Sequence, residues 1–146
     1  MEYKSEIKEA LEVCNEALND LKDANKLLKS ARNWGIFDIF GGGLIATFVK
    51  RNKMDKARNC AEKAGVSLRK LKKEIREISS RVDLDLNMDV FLSFSDYFFE
   101  GLFFADLQVQ NRINNARYKV ENTMETVRQI KMKLLAQLIS LSSPKS

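Results

Sequence analysis

Residues 54–82 read M-D-K-A-R-N-C-A-E-K-A-G-V-S-L-R-K-L-K-K-E-I-R-E-I-S-S-R-V, and their apolar members Met54, Ala57, Ala61, Ala64, Leu68, Leu71, Ile75, Ile78 and Val82 fall at steps of three and four without a fault. Such steps keep the apolar side chains on one helical face, and over four heptads they mark a seam packed against other helices. Gly65 costs about 1 kcal/mol relative to alanine inside a helix, yet the phase runs straight across it, so the helix is read as continuous from 44 to 80. Its first half is lined by Ala57, Cys60, Ala61, Ala64 and Gly65, and its second by leucine and isoleucine. Neighbouring helices can therefore approach closely at one end only, and bulky groups from elsewhere must fill that end.

Working outward, Ile7, Leu11, Cys14, Leu18, Leu21 and Leu28 repeat the pattern upstream, with Asn25 in the one missing slot, and predict a helix over 3–32. Downstream, Ile113, Ala116, Val120, Val127, Ile130 and Leu134 form a third seam on a helix over 95–141, with Ser95 or Asp96 as its N-cap. Val82 to Asp89 alternates as a strand would, but no second strand pattern exists to pair with it, so 81–94 is read as a connection. Residues 142–146 form a frayed tail. At 146 residues the chain suits one domain. The expected fold is all-α: an antiparallel, up-down-up bundle of three long helices, with a Phe/Gly-rich helix-loop insertion at 33–43 between the first two.

Composition excludes several chemistries. Histidine is absent, which removes the usual general base and the commonest transition-metal ligand, and with them Ser-His-Asp and Cys-His triads. Cys14 and Cys60 lie in apolar stripes without C-x-x-C spacing and are expected as reduced, buried thiols. The first residues open directly into a charged amphipathic pattern, and no run of about 18 apolar residues follows anywhere. A cytoplasmic, non-spanning chain without cofactor or resident metal is the expectation.

The insertion N-W-G-I-F-D-I-F-G-G-G (33–43) holds the only tryptophan and four of the six glycines. Gly41, Gly42 and Gly43 directly precede a helix, where backbone N–H groups can converge on an anion, but no Gly-Lys-Ser/Thr follows, so a nucleotide P-loop is not supported. A plainer reading makes Trp34, Phe37 and Phe40 a plug for the alanine-lined end of the bundle. Six of the nine phenylalanines lie between Phe91 and Phe104, and the two aromatic clusters are expected at one end of the molecule. That would gather Asp38, Asp55 and Asp106 with Lys50 and Arg112 around the glycine turn, as ion pairs, as a small-anion site, or as oxygen ligands for a hard divalent cation.

Charge is unevenly spread. Residues 50–81 hold 12 Lys and Arg against 4 acids, a balance of +8, whereas residues 82–107 hold 6 acids and no base. Either the two segments neutralise each other, or Lys56, Lys63, Arg69, Lys70, Lys73 and Arg76 present a basic face to nucleic acid or an anionic membrane surface.

The segments W-G-I-F-D-I-F-G-G-G (Trp34 to Gly43), K-R-N-K-M-D-K-A (from Lys50) and D-Y-F-F-E-G-L-F-F-A-D-L-Q-V-Q-N-R-I (from Asp96) resemble stretches of uncharacterised bacterial helical, coiled-coil-type proteins. The resemblance implies that Trp34, Asp38, the three glycines, Lys50, Asp55, Asp106, Gln110 and Ile113 belong to one structural feature, and it implies no activity. Three functions remain open: a non-enzymatic module for protein interaction or self-association, polyanion binding through the basic second helix, and a carboxylate or small-anion site at the glycine turn. The faultless heptads and the missing catalytic signatures favour the first, with a protein partner or a homo-oligomer as its consequence.

Overall fold

A computed structural model describes residues 2–40, 44–80 and 113–142, with side chains over 3–30, 55–56, 58–80 and 114–142. It contains three helices packed against each other: α1 (Glu2–Phe40), α2 (Leu44–Ser79) and α3 (Ile113–Ser142). α2 starts where its sequence predicts and stops one residue early. Near its end Ser79 Oγ donates to the Ile75 carbonyl at 2.6 Å and Ser80 Oγ to that of Glu77 at 2.7 Å, satisfying carbonyls that the ending helix would leave open. α1 runs past the expected end near Arg32 as far as Phe40, because one glycine at position 35 does not outweigh a proline-free run of helix-compatible residues. Only Gly41–Gly43 then separate α1 from α2. The proposed start of the third helix at 95 lies outside the described residues.

The core line of α1 is Ile7, Ala10, Cys14, Ala17, Leu21, Ala24 and Leu28, all fully buried. This corrects the seam drawn through Leu11, Leu18 and Asn25: those three are half-buried on one flank, and Ala24 fills the slot that Asn25 seemed to leave empty. Large side chains fit the flank, whereas the centre, where two helices converge, has room for alanine. The second seam holds from Ala61 through Ala64, Leu68, Leu71 and Ile75 to Ile78, all buried, while Met54, Ala57 and Val82 lie outside the described side chains; on α3 Thr123 and Met124 join Ala116, Val120, Val127, Ile130 and Leu134. Thr123 is tolerated there because its hydroxyl donates back to the Lys119 carbonyl at 2.7 Å.

Helix direction follows from which flanks meet. Asp20 accepts from Ser67, Glu16 faces Lys70, and Glu6 and Glu9 lie near Glu74, so numbers rise along α1 as they fall along α2. α1 turns its opposite flank to α3: Asn15, Leu18, Asn19 and Lys22 share a groove with Met124, Arg128 and Lys131, and Cys14 feels the charge of Lys131. In heptad terms the b and e positions of α1 meet the b and e positions of α3, and like flanks meet only when one helix is reversed. α1 is therefore antiparallel to both neighbours, and α2 and α3 are parallel. The expected up-down-up order is corrected to up-down-down. Ser80 and Ile113 stand at opposite ends of the bundle, about 40 Å apart at 1.5 Å per residue of α1.

In this register the helices compensate each other in bulk. Ala10, Cys14 and Ala17 of α1 lie along Leu71, Ile75, Ile130 and Leu134, whereas Leu21 lies level with Ala64 and Leu68 together and Leu28 level with Ala61 and Ala116. Leu28 of α1 reaches the narrow end of α2, and the aromatic plug of Trp34, Phe37 and Phe40 lies outside the described side chains. The Ala17→Leu variant should lose about 1–3 kcal/mol to overpacking, and Leu21→Ala about 2–5 kcal/mol to a cavity, both read from urea denaturation midpoints. An Ala17→Leu protein as stable as the parent would show that the seam is not tight.

Candidate functional site

Every described residue of the predicted basic face is exposed on α2. Lys56, Lys63 and Lys70 follow one another at heptad steps along the edge that borders α1, and there α1 presents Glu16, Asp20 and Asp23. Lys63 lines a cleft with Asp20 and Asp23, and Lys70 Nζ stands 4.0 Å from Glu16 Oε2, both side chains more than half exposed. A pair so exposed contributes no more than about 1 kcal/mol, and the opposition of acid to lysine covers Lys63 and Lys70, whereas further along the edge Glu74 lies near Glu6 and Glu9. Arg69, Lys73 and Arg76 lie on the rest of the solvent side of α2.

Beneath those columns runs an open groove of about 720 Å³ lined by Glu16, Asn19, Asp20, Asn59, Glu62, Lys63, Val66 and Ser67. Its one buried polar group, Ser67, donates to Asp20 Oδ2 at 2.5 Å, so the hydroxyl is satisfied from within the fold. Asp55 is exposed. Asp38 and Lys50 belong to α1 and α2, but their side chains, like Gly41–Gly43, Asp106 and Arg112, lie outside the described residues, as do the aromatic clusters and the acidic segment 82–107. Among the described residues no group of three or more Cys, Asp or Glu could hold a metal ion, and no helix is long and apolar enough to cross a membrane.

The cysteines are unpaired. Burial pushes the Cys14 thiol up to about 12, with the Lys131 ammonium pulling weakly the other way. Cys60, only half-buried, is raised by burial first and then by Asp23. Both therefore rest as neutral thiols at pH 7, a poor state for a nucleophile.

Two features escaped the sequence reading. One is the groove of about 410 Å³ between α1 and α3, lined by Asn15, Leu18, Asn19, Lys22, Met124, Arg128 and Lys131, in which cations from two helices converge. The other is the outer face of α3, where Tyr118 is 65% exposed, Met132 70% and Ile139 66%, with Leu135 and Leu141 also exposed. Tyr118, Glu125, Met132 and Ile139 recur at steps of seven, a signal present in the sequence but overshadowed by the stronger core seam.

No protein-family model, no curated protein and no solved structure matches this chain. Of the segments that carry the bacterial coiled-coil resemblance, only the side chains of Asp55 and Lys56 are among those described, and both are exposed.

Two outcomes are expected. Burial, then Glu77, Glu9 and Glu6, raise the Glu74 carboxyl, so its charged form is disfavoured in the fold. Glu74→Gln should raise the melting temperature at pH 7, and the gain should disappear once the pH falls below the carboxylate range. The Cys14 thiol keeps its proton in the fold to about pH 12 but loses it near 9 when unfolded. Below 9 both states are protonated and nothing is lost; between about 9 and 12 the unfolded state sheds the proton first, and stability falls as pH rises. Urea midpoints measured against pH should show a fall that is shallower in Cys14→Ala.

Proposed function

We propose that the chain is a non-enzymatic self-association module whose second copy docks on the outer face of α3. The observation that carries this reading is the exposed apolar stripe of Tyr118, Met132, Leu135 and Ile139 on a helix whose other face is already committed to the core. Glu125 separates Tyr118 from the cluster of Met132, Leu135 and Ile139, and exposed apolar surface of that kind marks interaction sites.

The charges on this face favour a second copy in antiparallel pairing. Its N-terminal half carries Glu121 and Glu125 together with Arg117 and Lys119, and its C-terminal half carries Arg128, Lys131 and Lys133 with no acid beyond Glu125. Two such helices laid head to tail set the acids of each beside the cations of the other and bring Tyr118 of one toward Ile139 of its partner. A two-fold axis between identical faces closes the assembly as a dimer.

The test is sedimentation equilibrium of the chain and of an Ile139→Asp variant over a concentration series. A dimer that becomes monomeric in the variant, with helicity and melting temperature retained, is the expected outcome. A parent protein that stays monomeric across the series would sink the reading, as would a variant that dimerises equally well.

A further inference from the structure

We infer that the groove between α1 and α3 binds a small organic phosphate, which goes beyond the self-association reading and shares Arg128 and Lys131 with it. Lys22 of α1 and Arg128 and Lys131 of α3 line this groove together with the amides of Asn15 and Asn19, and no carboxylate is among its lining residues. Three cations gathered on one concave surface without an anion repel each other. The fold holds them there because the apolar parts of the same residues cover the core: Lys131 is half-buried, with Leu18 and Met124 forming the floor between the helices.

The contrast with the α1/α2 edge sharpens the point. There, Lys63 and Lys70 meet Asp20, Asp23 and Glu16 on the neighbouring helix. Here, α1 offers Lys8, Lys22 and Lys29 along its b positions, and α3 answers with Arg117, Arg128 and Lys131. The acids on this side of α3 are Glu121 and Glu125; Glu125 Oε2 lies 3.6 Å from Arg128 Nη1, in a pair more than half exposed on both sides. An exposed pair of this kind yields readily to a stronger acceptor.

Phosphate suits the donors. A guanidinium can engage two of its oxygens at once, two ammonium groups supply point charges, and two amide NH₂ groups supply neutral donors. The floor of Leu18 and Met124 gives an apolar substituent a place to lie, and a groove of about 410 Å³ is in the size range of small-molecule sites. The ligand class is therefore a phosphomonoester carrying a small apolar group.

The experiment is a calorimetric titration of the full chain at low ionic strength with phenyl phosphate and with inorganic phosphate. It is repeated on Lys22→Gln/Arg128→Gln and on a control, Lys73→Gln, from the exposed side of α2. The expected result is saturable one-to-one binding, tighter for phenyl phosphate. Affinity should fall about tenfold or more in the double variant, in line with charge-assisted hydrogen bonds, and be unchanged in the control, with helicity by circular dichroism equal in all three. Absent or non-saturating binding, or equal binding by the double variant, would overturn the site. Equal affinity for the two probes would overturn the organic part of the ligand class.

Discussion

Ala10, Cys14, Ala17 and Ala24 make α1 thin along the line where two other helices converge on it, and the rest of the fold depends on that thinness. One helix can carry two close neighbours only if its seam holds little bulk, and the neighbours must then supply volume where α1 lacks it and withdraw where Leu21 and Leu28 project. The alternation fixes the register. The hydrogen bond from Ser67 to Asp20 holds only in the register that the volumes have already selected.

From α1 in the middle follows the division of surfaces. Its c positions, Glu2, Glu9, Glu16 and Asp23, are acidic, and its b positions, Lys8, Lys22 and Lys29, are basic, so one helix offers opposite signs to its two neighbours. α2 meets the acidic flank with Lys63 and Lys70, and part of the large positive balance of 50–81 is thereby answered inside the bundle. α3 meets the basic flank with cations of its own. The same reversal that makes both interfaces antiparallel thus produces one neutralised edge and one that gathers positive charge.

The sequence made the second helix legible nearly to the residue, because leucine, isoleucine and alanine at faultless spacing admit a single phase. It misled on α1 for a physical reason: hydrophobic patterning weights large side chains, and the innermost line of this helix is built from small ones. The direction of α3 was not legible, since a heptad seam reads alike for a parallel and an antiparallel neighbour, and only the flanking residues Asn15, Leu18, Met124 and Lys131, seen together, distinguish them. The candidate residues at the glycine turn were chosen on the assumption that distant segments meet, which periodicity does not encode. The cationic groove was illegible for the same reason: Lys22 and Arg128 are unremarkable apart and acquire meaning only when two helices bring them together.

The α1/α3 interface differs in kind from α1/α2, and the difference bears on what each helix is for. On the α1 flank that meets α3, the register that opposes Leu18 to Met124 opposes Asn25 to Arg117 one heptad away, and Asn25 Oδ1 and Arg117 Nε are both buried without a hydrogen-bond partner. Two buried polar groups left unsatisfied in such a seam weaken it. α3 thus buries an apolar line against the bundle, exposes Tyr118, Met132, Leu135 and Ile139 on its other side, and carries Arg128 and Lys131 along its edge toward α1.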